Sequence, residues 1–169
     1  MRRTLDRILV PTDFSPHSAE ALLVAASIGE RFSSTLLILH VISKDVEEHA
    51  IHAHLGHMSS PLLGYFSESA DVPADVQETV AIDLRDRAHT AIQEFIPSDF
   101  NYHPIELLVS VGAPYEQILQ AATDQHVDLI IMGTHGRTGL SHTLLGSVAE
   151  RVLRLASCPV LTVKETPPR

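Results

Sequence analysis

Five short apolar runs limit what this chain can fold into. They are Arg7-Ile8-Leu9-Val10-Pro11, Thr35 to Val41, Ile105 to Val111, Asp128 to Met132 and Val160 to Val163. Most show little apolar–polar alternation, the pattern of a strand covered on both faces. The stretches between them carry apolar residues at helical spacing. Ala19, Leu22, Leu23, Ala26 and Phe32 form one stripe, and Val80, Leu84, Ala88, Ala91 and Phe95 a second. Tyr115, Ile118, Leu119 and Ala122 form a third, and Val148, Val152 and Leu155 a fourth. Five strands alternating with four helices predict an α/β fold, a parallel doubly wound sheet in the order 3-2-1-4-5 with right-handed crossovers. At 169 residues the whole chain, 1–169, fits one domain. The third run alternates more than the others and is expected nearer an edge.

Local signals agree with this reading. Asp13 and Ser15 lie where a helix cap belongs, Pro16 suits the first helical position, and Pro97 and Pro159 stop helices. The exception is 43–75, which holds His49, His52, His54 and His57, then Pro61, Gly64 and Pro73. It reads as a long insertion, a loop with one short helical turn, and loops of that length are usually functional or mobile. His49/His52 and His54/His57 are each three apart, so on a helix each pair would share a face and could bind a transition metal. The weightier reading is a solvated, histidine-rich tract.

The functional signal is Ile130-Ile131-Met132-Gly133-Thr134-His135-Gly136-Arg137-Thr138-Gly139, followed by Leu145-Gly146-Ser147. An apolar run ends at glycine, the chain loops, and another glycine opens a helix. Glycines permit close backbone approach, and a helix N-terminus offers unpaired amides and a favourable dipole to an anion. The spacing Gly133-x2-Gly136-x9-Gly146-Ser147 therefore reads as a phosphate cradle. It is not a Walker A loop, since no glycine is followed by lysine. Nor is it a dinucleotide fingerprint, because the first strand leads into Pro11-Thr12-Asp13-Phe14-Ser15 rather than glycines. With order 3-2-1-4-5 the winding reverses between strands one and four. That brings Pro11-Thr12-Asp13 opposite Gly133 to Gly136, at the switch point where ligands of such sheets bind.

Composition narrows the partner. A formal net charge of −9 argues against nucleic acid, yet a few amides suffice to hold a nucleotide. The lone Cys158 permits no internal disulfide and fits a reducing compartment, in a small apolar role rather than as a reactive thiol. No apolar run is long enough to span a membrane or to serve as a signal peptide, so the expected location is the cytoplasm. Gly139-Leu140-Ser141-His142-Thr143 lacks the second glycine of a nucleophile elbow. His40 is expected to be a satisfied core residue. Arg137 is the charge best placed to meet a phosphate, with a solvated loop arginine the equal alternative. No general base or catalytic lysine stands out, which favours a binder, or at most a slow hydrolase, over a fast ATPase.

Pro11-Thr12-Asp13-Phe14-Ser15, His40-Val41, Val111-Gly112-Ala113-Pro114, the Gly133 to Ser147 motif and Ser157-Cys158-Pro159-Val160-Leu161 together resemble the universal stress protein family, and within it the ATP-binding subclass. The resemblance covers nearly the whole chain and implies an adenine nucleotide alpha hydrolase-like fold. It implies that Pro11, Thr12 and Asp13 line an adenosine pocket, Val41 covers the adenine, and Met132 and Gly133 pack at the ribose. His135, Gly136, Gly146, Ser147 and Val148 would approach the phosphates through amides, with Ser147 adding its hydroxyl. Asp13 would contact the sugar or a metal-bound water. Ala149 stands where some ATP binders carry a hydroxyl, which removes one phosphate contact. The resemblance also implies a homodimer through Val160 to Val163. The expected ligand is ATP, or ADP or AMP, with Mg or Mn as accompanying ion. The expected role is a nucleotide-dependent stress-response regulator with an unknown protein partner. A slow ATP hydrolase or nucleotidyl transferase, and a dimeric interaction module without nucleotide, are the alternatives.

Overall fold

Five parallel strands form the sheet, in the order β3-β2-β1-β4-β5, as the sequence predicts. The computed structural model describes residues 4–57, 72–135 and 145–164. The strands are β1 (Arg7–Thr12), β2 (Thr35–Ile42), β3 (Ile105–Val111), β4 (Leu129–Gly133) and β5 (Val160–Val163). The helices are α1 (Pro16–Phe32), α2 (Lys44–His57), α3 (Ala74–Phe95), α4 (Pro114–Asp124) and α5 (Ser147–Leu155). β3 lies at one edge and β5 at the other.

The apolar runs are continuous because each strand feeds two cores. Ile8 and Val10 of β1, Leu36 and Ile38 of β2 and Ile131 of β4 turn to one face, where α1 and α3 cover them. Leu9, Leu37, Leu39, Ile130 and Met132 turn to the other, beneath α4 and α5. The side-chain period of two thus splits an unbroken apolar strand between two layers. Truncating any one of these Leu or Ile side chains to Ala should cost about 2–5 kcal/mol.

α1 begins as the sequence indicates. Ser15 is its N-cap, accepting the Ser18 amide at 3.3 Å, and Pro16 occupies the first turn. Its buried face differs from the expected stripe. Ser18, Ala21, Leu22, Ala25 and Gly29 face inward, whereas Leu23 and Phe32 are about half exposed. Two overlapping stripes exist in this alanine-rich helix. The one with smaller residues wins, because α1 lies close enough for Gly29 to meet Tyr102 and for His17 to meet Gly133. In α5, Ala149 and Val152 are buried while Leu155 is exposed, a correction of the same kind.

The larger correction concerns the insertion. Lys44–His57 is a helix of 14 residues, not a loop with one turn. Ile51 and Leu55, four apart, pack with Val72, Val76 and Val80 into a satellite cluster between α2 and α3. The partner side chains lie more than a dozen residues away, so local propensity in a histidine-rich stretch gave little sign of it. Residues 58–71, with Pro61 and Gly64, lie outside the described residues.

Candidate functional site

The turn after β1 is held from three directions. The Thr12 hydroxyl accepts the Phe14 amide at 3.0 Å and lies 3.1 Å from Ser18 Oγ. Asp13 Oδ1 accepts the Ser15 amide at 3.1 Å. Phe14 is left-handed, with φ 65°, a conformation costing a non-glycine residue about 1–2 kcal/mol. It is kept there by stacking on His40, ring centroids 4.4 Å apart, and by an edge contact with Phe95 at 5.7 Å.

His40 completes the clamp. Its Nδ1 lies 2.9 Å from the Thr12 carbonyl oxygen, which can only accept, so the geometry assigns the proton to Nδ1. The sequence reading of His40 as a satisfied core residue is half right. It is hydrogen-bonded, but half-buried, and it stands on the wall of a cavity.

That cavity encloses about 260 Å³, near the lower end of the roughly 300–1,000 Å³ range of small-molecule sites. It opens at the carboxyl ends of β1, β2 and β4, on both sides of the switch point. β1 and its turn contribute Pro11, Thr12 and Asp13, and β2 contributes Val41. From the β4 side come Met132, Gly133 and His135, and from the start of α5 come Gly146, Ser147 and Val148. Ten of the twelve sequence-derived residues therefore line one space. The other two, Gly136 and Arg137, lie outside the described residues.

Sequence reasoning missed Ser18, Leu39, Thr134 and the pair from α4, Pro114 and Ile118, while Ala149, read as a lost phosphate contact, also lines the space. Thr134 was in view, between two chosen residues. The α4 pair carries no local signal, since only the sheet order brings α4 beside β2. An apolar wall, Leu39, Val41 and Ile118, thus stands on the β2 and α4 side, and the polar main chain of the β4–α5 connection on the other.

The helix ends around the cavity differ. Ser15 caps α1 with its own hydroxyl, whereas the N-cap of α5 is Gly146, which has no side chain to do so. The first amides of a helix have no intrahelical partner, so the α5 end is the stronger anion acceptor. The Gly146 amide itself is engaged, donating to the Thr134 carbonyl at 2.7 Å, while Thr134 N–H donates to Val163 at 2.9 Å. These bonds tie the end of β4 to the start of α5, leaving the following amides to meet a ligand. Gly133, on the cavity wall, also meets α1. A Cβ there would lie 2.8 Å from His17 Cβ and 3.0 Å from its carbonyl carbon. Its missing side chain lets α1 approach β4.

Outside this site, His49, His52 and His54 are exposed on α2, and His49 Nδ1 is bound to the Asp45 carbonyl at 2.6 Å. Among the described residues no three His, Cys, Asp or Glu side chains converge on a metal position. Cys158 is half-buried, and burial pushes its thiol up, in keeping with a small apolar role. No helix among the described residues is long and apolar enough to cross a membrane.

The universal stress protein family model matches residues 4–164. The chain is 30% identical over 159 residues to universal stress protein MJ0577 of Methanocaldococcus jannaschii, covering 94% of each. It is 32% identical over 160 residues to universal stress protein MJ0531 of the same organism, covering 94% of this chain and 82% of that one. The solved structure of MJ0577 superposes with a TM-score of 0.71 at 27% identity, over 98% of this chain and 100% of that one. Universal stress protein UspA from Lactobacillus plantarum shares the fold, with a TM-score of 0.64 at 21% identity over 96% and 99% of the two chains. A match over nearly the full length, together with a sheet of the same kind, places this chain in the universal stress protein family.

Proposed function

We propose that this protein binds an adenine nucleotide, ATP by preference, in the cavity between β1 and β4, and acts as a nucleotide-dependent regulator in the stress response. The observation that carries the reading is the convergence of two crossover turns, far apart in sequence, on one cavity that has an apolar wall and a helix N-terminus whose N-cap is a glycine. The base fits the Leu39, Val41 and Ile118 side. The phosphates fit the amides after Gly146 and the Ser147 hydroxyl, where the helix dipole favours negative charge. Asp13 faces the same space and would meet the ribose or a water on a nucleotide-bound Mg²⁺ or Mn²⁺. Such ions keep most of their ligands as phosphate oxygens and water, so a cluster of protein carboxylates is not required.

No lysine is among the described residues that line the cavity, and we take the site as a binding site with at most slow hydrolysis. A homodimer through β5 is part of the reading. β5 is an edge strand, and Leu161 on it and Leu153 and Leu155 on the neighbouring helix are exposed, an apolar edge that pairing would cover. The expected location is the cytoplasm.

Isothermal calorimetry with ATP, ADP, AMP, cyclic AMP and adenosine tests the site, beside a Val41→Asp variant that puts a charge on the apolar wall. Saturable ATP heat, reduced at least tenfold in affinity by the variant, is expected. No heat with any nucleotide would leave the interaction-module reading in its place. Multiple-turnover phosphate release abolished by Asp13→Ala would shift the reading to an enzyme. Sedimentation of Leu161→Glu tests the dimer, and an unchanged dimer would move the interface elsewhere.

A further inference from the structure

We propose that Arg151, held against the ring of Tyr115 at the mouth of the cavity, is the cation that selects nucleotides carrying a phosphate chain over the bare nucleoside. This rests on the nucleotide reading above. It adds a specificity-determining residue, Arg151, and a positioning residue, Tyr115, that neither the glycine motif nor the cavity lining includes.

α4 and α5 cover the same face of the sheet. Each follows a strand of a parallel sheet, so both begin at the carboxyl ends of the strands, where the cavity opens. Tyr115 lies in the first turn of α4, directly after Pro114 and three residues before Ile118, both of which line the cavity. Arg151 follows the cavity residues Ser147 and Val148 by four and three positions on α5. Residues at those spacings share a helix face, and long helical side chains lean back toward the N-terminus. Arg151 Cζ lies 4.7 Å from the centroid of the Tyr115 ring. Contact with a first-turn residue of α4 therefore draws the guanidinium to the end of α5 that borders the cavity.

Tyr115 is itself fixed. It is half-buried, packs on the same core cluster as Val148, and donates its hydroxyl to Glu116 Oε1 at 2.7 Å. A guanidinium stacked on a ring is held by its face and directs N–H groups outward in its plane, the arrangement that takes phosphate oxygens in pairs. The charge is needed there. The first turns of α4 and α5 carry Glu116 and Glu150, which oppose a polyphosphate, and no Lys or Arg is among the described residues that line the cavity. An uncharged nucleoside has nothing for the guanidinium to hold.

The test is calorimetry with ATP and with adenosine, at low and at raised salt, on the native protein, Arg151→Gln, Arg151→Lys, Tyr115→Phe and Tyr115→Leu. The readout is the ratio of ATP to adenosine affinity. Arg151 is exposed, so its substitution leaves the core intact. Arg151→Gln should lower the ratio about fivefold, through ATP alone, and Arg151→Lys by less. Tyr115→Phe keeps the ring and should keep the native ratio, whereas Tyr115→Leu should lower it. Tyr115→Leu combined with Arg151→Gln should lower it no further than Arg151→Gln does. Raised salt should weaken ATP binding more in the native protein than in Arg151→Gln. A pair that only braces α4 against α5 would move ATP and adenosine together. Equal losses for the two ligands, or an unchanged ratio in Arg151→Gln, would overturn the inference while leaving nucleotide binding standing. Absence of ATP binding by the native protein at either salt would overturn the nucleotide reading and this inference with it.

Discussion

Replacing Gly133 by alanine separates two explanations of the most distinctive residue in the sequence. A Cβ at this position would sit 2.8 Å from His17 Cβ, 3.0 Å from its carbonyl carbon and 3.1 Å from its carbonyl oxygen. Two of these three atoms are backbone within α1, so no rotamer change relieves them and the helix must lift from β4. Overpacking of this kind costs about 1–3 kcal/mol. Removing a glycine from the unfolded chain returns about 0.4–1 kcal/mol. The net destabilisation is about 1–2 kcal/mol, or about 2–8 °C in melting temperature for a domain of this size. Urea unfolding followed by circular dichroism measures it as a lower midpoint with an unchanged slope. His17→Ala added to Gly133→Ala should restore little, since Cβ and carbonyl remain. A Gly133→Ala protein as stable as the native one, yet unable to bind nucleotide, would refute the reasoning and return the glycine to ligand approach.

Further outcomes follow from the same contacts. Phe14→Ala removes the ring that stacks on His40 and meets Phe95 while keeping a side chain at a left-handed position, so a loss of about 2–3 kcal/mol is expected by chemical denaturation. Raising the pH should unfold the protein progressively. Burial, then the charge of Glu30, hold the Tyr102 hydroxyl above its usual value, and burial, then Asp128, do the same for the Cys158 thiol. Groups whose folded pKa is raised stabilise the fold fully below their ordinary values, and that stability is lost as pH rises through the raised ones. Melting temperature should therefore fall at alkaline pH, and Tyr102 ionisation, followed by ultraviolet absorbance, should coincide with unfolding rather than precede it. Glu106→Gln breaks the bidentate pair with Arg7 at the opposite end of the sheet. Because Glu106 is about half exposed, the cost should stay below about 1 kcal/mol.

The sequence alone determined the architecture and most of the cavity wall. Ile8-Leu9-Val10 and Leu36 to Leu39 have no polar face, and only a strand roofed by helices on both sides can bury such a run. Once that is granted, the switch point follows, and with it the meeting of Pro11-Thr12-Asp13 and Gly133 to His135. Tertiary structure decided everything that depends on partners distant in the chain. It chose which of two stripes α1 buries, because the small-residue face allows α1 to lie on Gly133. It made α2 a helix, because Ile51 and Leu55 find Val72, Val76 and Val80 on α3. It put His40 on a cavity wall with its Nδ1 on Thr12, and set Arg151 against Tyr115. Periodicity along a chain reports which face is apolar, but the distance at which two faces meet is set by packing, and that distance is written in no single segment.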